Sequence, residues 1–170
     1  LYAERMVLAY GRNKGIKARV ARFQNTYGPE GTWQGGREKA PAAISRKVAE
    51  AEDGGEIEVW GDGSAVRSYT YVDDLVRGIY LLMQSDLAVP ANIGSPEYVS
   101  VDELARTVID ISGKDLRIKH IDGPVGVQSR NFCNKRINSL GWQHDYTLLE
   151  GMRITYKWVE EQVNELKGER

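Results

Sequence analysis

The sequence predicts an α/β protein. Helix-period and strand-period segments alternate along it, and twice a helical segment runs through a single glycine into a short alternating stretch, at Gly15 and at Gly113. With 170 residues, 41% of them apolar and 28% charged, the chain can bury one proper core.

Leu1 to Lys14 consists of good helix formers, with Leu1, Tyr2, Met6, Leu8, Ala9 and Tyr10 on one broad stripe, and Gly15 supplies the left-handed stop. Ile16, Ala18 and Val20 then alternate with Lys17 and Arg19, so 1–22 reads as the last helix and strand of a larger sheet. This opening has neither an initiating methionine nor a capping residue, and the expectation is a cut there. From Phe23 to Gly36, glycine, proline and aromatics predict a long ordered loop. Pro41 suits a first helical turn, and that helix ends at Asp53-Gly54-Gly55. Glu56 to Trp60 and Arg67 to Val72 read as a hairpin about Gly61-Asp62-Gly63-Ser64. Asp73 is expected to cap a helix with Leu75, Val76, Ile79, Leu82 and Met83 at helical spacing. A short strand at Asn92-Ile93-Gly94 follows, then a capping box, Ser100 with Glu103, opening a helix that stops at Gly113. Leu116 to Ile121 is a strand, 122–134 a loop and 135–139 a short helix, and a second capping box, Thr147 with Glu150, opens a terminal helix to about residue 166.

The formal net charge of -1 argues against a nucleic-acid partner. No apolar run approaches the roughly 20 residues that span a bilayer, and no basic-then-apolar leader opens the chain, so no membrane association is expected. The single cysteine, Cys133, cannot form an intramolecular disulfide and points to a reducing, cytoplasmic setting. It reads as a small, partly buried hydrophobe. His120 and His144 lack metal-ligand spacing, so no metal is expected.

Four features could carry chemistry: Arg22 to Pro29, the cluster Arg37-Glu38-Lys39, the strand start Arg67-Ser68, and Arg130-Asn131. Guanidinium groups from separate loops can converge on a diphosphate through bidentate, charge-assisted bonds, which favours a phosphorylated small molecule. On composition alone, each also reads as a turn or a solvated charge. Lys39 stands just before Pro41, where the positive end of the helix dipole and Arg37 disfavour its ammonium. Glu38 acts the opposite way, and burial decides between them.

Arg22-Phe23-Gln24-Asn25-Thr26-Tyr27-Gly28-Pro29, Trp60-Gly61-Asp62-Gly63, Arg67-Ser68-Tyr69-Thr70-Tyr71-Val72-Asp73-Asp74 and Asn92-Ile93-Gly94 stand in that order. The series resembles the extended short-chain dehydrogenase/reductase family of NAD-dependent epimerases and dehydratases that act on nucleotide sugars. Within it, Gly31-Thr32-Trp33-Gln34-Gly35-Gly36-Arg37-Glu38-Lys39-Ala40-Pro41 and Gly151-Met152-Arg153-Ile154-Thr155-Tyr156 are similar to the GDP-mannose 3,5-epimerase branch. The resemblance implies the C-terminal part of that fold: 1–24 as the end of the NAD-binding Rossmann domain, and 25–170 mainly the small α/β substrate domain. A stretch of about 67–95 would return to the Rossmann sheet.

The resemblance further implies Lys39 as an acid/base residue at sugar carbons 3 and 5, with Asn25, Glu38, Lys47, Arg67 and Arg130 holding a GDP-sugar. NAD would transiently oxidise carbon 4, and the partner subunit of a homodimer would pack on the first helix. The family's glycine-rich fingerprint, its tyrosine-lysine pair and its cysteine would all precede Leu1, so this chain alone is expected to be inactive and to hold little of the NAD site. Gln128 stands where the family commonly has a second arginine. Two other readings stay open: a 4-epimerase or 4,6-dehydratase, and a non-catalytic sugar-nucleotide-binding or dimerisation module.

Overall fold

A computed structural model describes residues 1–124, 126–130 and 132–168. The α/β expectation holds, with helices and short strands alternating along the chain. Helix α1 (Tyr2–Lys14) ends on Gly15 at φ 67, the left-handed stop expected of it. None of its residues is buried.

Strand β1 (Ala21–Phe23) lies one step later than the predicted 16–20. Its partner β6 (Ala91–Ile93) is only three residues long and runs parallel to it, so the ladder begins where that partner does. The loop that follows contains β2 (Thr26–Tyr27), then comes α2 (Ala40–Glu50) with Pro41 in its first turn. The carbonyls of Val48, Ala49 and Ala51 at the far end of α2 accept from Lys114 Nζ at 2.8, 3.1 and 2.8 Å, as the negative end of a helix favours.

The expected hairpin does not form. Strand β3 (Glu56–Trp60) pairs in parallel with β8 (Arg117–Ile121), while β4 (Val66–Ser68) pairs antiparallel with β7 (Tyr98–Ser100). The turn between β3 and β4 is real, with Asp62 Oδ1 accepting from the Ser64 amide at 3.0 Å. Yet it docks elsewhere, because Gly63 and Ala65 carbonyls accept from the amides of Asp102 and Val101 at 3.1 Å each. A side chain at Gly63 would lie 1.8 Å from Asp102 Oδ1, so glycine is needed for that approach as well as for its φ of 72.

Strand β5 (Thr70–Tyr71) pairs in parallel with β2 and leads directly into α3 (Val72–Gln84). Asp73 sits inside the first turn of α3 rather than capping it; the cap position is Tyr71. The polar work at this end is done by Asp74, buried, which accepts from the amides of Asp145 and Tyr146 at 2.7 and 3.2 Å. Helix α4 (Val101–Ser112) opens with the Ser100–Glu103 capping box and stops at Gly113. After α5 (Lys135–Asn138), α6 (Leu148–Gly168) opens on reciprocal Thr147–Glu150 bonds.

Two cores result. The larger joins Ile44 and Val48 of α2, Ile57 and Val59 of β3, Leu104 and Val108 of α4, and Met152 and Val159 of α6. The smaller joins Leu75 and Leu82 of α3, Ile93 of β6, Ile137 of α5, and Trp142.

Candidate functional site

Most of the candidate residues line two clefts that share Arg67. Asn25 follows β1; its Nδ2 donates to the Ser68 carbonyl at 3.0 Å, and its own carbonyl accepts from Thr70 N at 2.9 Å. Ser68 Oγ donates to the Ser95 carbonyl at 2.6 Å, and Ser95 N donates to Thr70 Oγ1 at 3.0 Å. Two segments distant in sequence, at Asn25 and at Ser95, are thus fixed to the strand that carries Arg67 and to Thr70 just after it.

Arg67 Nη1 donates to the carbonyls of Val66 and Gln128 at 2.8 and 3.1 Å. The Val66 amide also donates to the Gln128 carbonyl, at 2.9 Å, which pins the 126–130 loop against β4. Asn25, Arg67 and Arg130 therefore line one cleft of about 290 Å3, with Gln24, Ser68 and Phe132. Asn131 lies outside the described residues.

Arg67 also borders a second cleft of about 430 Å3, where Glu38, Arg46 and Lys47 of the α2 region meet Trp60 and Tyr69. Lys47 Nζ donates to the Glu58 carbonyl at 2.6 Å. Glu38 pairs with Arg46 at 3.0 Å, and its side chain is only 8% exposed. The backbone N–H of Glu38 holds that carboxyl below the ordinary carboxylate value; burial opposes this, and Arg46 and the Gly36 N–H add to the lowering. Burial pushes the Tyr69 phenol up to about 12, so it faces the cleft as a neutral hydroxyl.

Lys39 is exposed at the cap position of α2 and lines neither cleft, although Glu38 and Ala40 on either side both line the second. Arg37 is exposed and borders neither. Arg22 is turned toward α1, its Nε and Nη2 donating to Glu4 at 2.7 and 2.6 Å. Cys133 is exposed rather than partly buried; its carbonyl accepts from Asn92 Nδ2 at 3.1 Å. Among the described residues, no group of three or more His, Cys, Asp or Glu could hold a metal.

Sequence reasoning passed over Gln24, which is 6% exposed and lines the first cleft with its Oε1 unpartnered. A side chain at Gly94 would lie 2.0 Å from that oxygen. A glycine packed against a polar side chain is a spatial relation, and single-sequence spacing carries no trace of it. The role of Gln128 was also missed, because it acts through its backbone carbonyl.

Residues 1–94 match the model of the NAD dependent epimerase/dehydratase family. A GDP-mannose 3,5-epimerase of Arabidopsis thaliana is 47% identical over 169 residues, covering 99% of this chain and 44% of the relative. UDP-glucuronic acid decarboxylase 6 of the same plant is 35% identical over 154 residues, 89% of this chain and 43% of the relative. Among solved structures, UDP-glucose 4-epimerase with UDP-glucose from Thermotoga maritima superposes with a TM-score of 0.86 at 28% identity, over 94% of this chain and 51% of that one. A dTDP-glucose 4,6-dehydratase from Bacillus anthracis, in complex with NAD, shares the fold at a TM-score of 0.80 and 24% identity, over 99% of this chain and 52% of that one. The chain thus spans about half the length of the relatives it matches.

Proposed function

The chain belongs to the NAD dependent epimerase/dehydratase family, and from that premise we propose that it forms the sugar-nucleotide site of a GDP-mannose 3,5-epimerase. The observation that supports this reading most is Arg67, a single guanidinium bordering two clefts. One is lined by Asn25 and Arg130, the other by Glu38 and Lys47. The diphosphate takes the arginine-lined cleft, where charge-assisted bonds are strongest. The base and its ribose take the more apolar cleft beside Trp60 and Tyr69.

Lys39, free of the cleft wall at the mouth of α2, exchanges protons at carbons 3 and 5 of the sugar. Its carbonyl accepts from Ala43 N at 2.9 Å, the first backbone bond of α2.

The start of α3 does not fit the phosphates of NAD. Helix α3, which starts directly after the parallel strand β5, carries Asp73 and Asp74 in its first turn, and these carboxylates oppose an anion there. The roles proposed for this chain therefore end at the sugar nucleotide. In the same reading, 1–24 and about 67–95 belong to the cofactor domain, supported by the parallel β1–β6 pairing, and the remainder to the substrate domain. A homodimer forms through α1, whose Leu1, Tyr2, Met6, Val7 and Tyr10 are exposed. No helix is long and apolar enough to cross a membrane among the described residues, and a cytoplasmic setting accords with the one unpaired cysteine.

Calorimetric titration of the chain tests the reading. GDP-mannose binds more tightly than UDP-glucose, and Arg67→Ala weakens it roughly tenfold or more, as loss of a charged hydrogen bond does. Equal affinity for both sugar nucleotides would instead favour a 4-epimerase.

A further inference from the structure

We propose that Arg46 is a positioning residue, holding Glu38 and with it the 36–39 entry to α2 in the wall of the second cleft. The inference rests on the sugar-nucleotide reading above. Arg46 Nη2 donates to Glu38 Oε1 at 3.0 Å and Nη1 donates to Glu50 Oε2 at 2.9 Å. One guanidinium thus ties the segment that precedes α2 to the last turn of the same helix.

That segment has little else to hold it. Among the described side chains of residues 28–39, Glu38 alone makes an ion pair. Gly35 and Gly36 lie at φ 89 and 80, conformations that glycine adopts freely and also leaves freely. Trp33 and Ala40 pack against the larger core, so the stretch between them is anchored at its ends and by Arg46 within. Lys39 follows Glu38 directly, and whatever fixes one carboxylate fixes the base of that lysine.

The pair is also half-made. Glu38 Oε2 and Arg46 Nε are both buried and both without a partner. They are the acceptor and donor of the second bond in a bidentate fork, of which only the Nη2–Oε1 arm is formed. A small rotation closes the fork, and a ligand seated against Ile44, Val59 and Tyr69 in the same cleft favours the closed form by excluding water. Without Arg46, the carboxylate, at 8% exposure, would keep only the backbone N–H groups of Glu38 and Gly36 to offset its burial, and it would turn toward solvent, loosening the α2 entry.

The test measures GDP-mannose binding by calorimetry and tryptic nicking at Arg37 and Lys39, in wild type, Arg46→Met, Arg46→Lys, Glu38→Gln, the double variant Glu38→Gln/Arg46→Met, and Glu50→Gln. Arg46→Met is expected to bind roughly tenfold more weakly and to be nicked several times faster. Arg46→Lys, which keeps the charge and the fold, recovers part of both. The double variant binds no more weakly than Glu38→Gln alone, and Glu50→Gln behaves as wild type. Unchanged binding and nicking in Arg46→Met, or additive losses in the double variant, overturn the proposal. If wild type fails to bind GDP-mannose, the functional reading falls, and the nicking rates alone decide whether the tether exists.

Discussion

The side-chain amide of Asn25 donates to the carbonyl oxygen of Ser68 at 3.0 Å, across the junction between the loop after β1 and the strand that carries Arg67. The bond uses the side-chain nitrogen of Asn25, and the residue also lines the first cleft. One residue thereby aligns the cleft wall while forming part of it. Asn25→Ala should cost about 1 kcal/mol of stability and also weaken GDP-mannose binding. Urea unfolding and calorimetry on the same preparation separate the two effects, and a stability loss with unchanged affinity would leave Asn25 as a structural residue only.

Gly151→Ala should destabilise the protein far more than an exposed glycine would. A side chain there would lie 2.2 Å from the Tyr27 hydroxyl and 2.9 Å from Tyr71 Cδ2, both in the larger core. Overpacking of this kind costs about 1–3 kcal/mol, and a lowered midpoint in thermal unfolding is the readout. The same substitution at Gly168, with nothing near it, serves as the control.

Glu38 makes stability depend on pH in a direction that can be worked out. Its folded-state value is lowered from 4.5, so the folded protein favours the ionised form more than the unfolded chain does. The stabilisation is fully present above the unfolded value and is lost as pH falls through the lower, folded one. Glu38→Gln should therefore be less stable than wild type at neutral pH, with the gap closing once pH drops below 4.5. Paired urea titrations along a pH series measure that gap; a gap that persists unchanged into strong acid would show that ionisation is not its source.

Much of this architecture is legible locally. Both capping boxes and the stops at Gly15 and Gly113 act within one helical turn, and all are found where the residues announce them. Strand partners are a different matter. Glu56 to Trp60 alternates clearly, but alternation specifies a face and not a neighbour, and its partner, Arg117 to Ile121, lies far along the chain. The site divides the same way. Asn25, Arg67 and Arg130, which the family resemblance singles out, line one cleft, while Lys39 stands outside it because helix phase and backbone direction at a cap decide where a side chain lies. The carbonyl of Gln128, which receives Arg67, is a backbone group that any residue could have supplied.

The central claim is that basic side chains from distant segments meet around a sugar diphosphate. Nuclear magnetic resonance of the isotopically labelled chain, titrated with GDP-mannose, tests it most directly. Shifts concentrated at Asn25, Arg67, Ser68 and Arg130, saturating together, are the predicted result. Shifts confined to α1 or α6, or none at millimolar ligand, would contradict it.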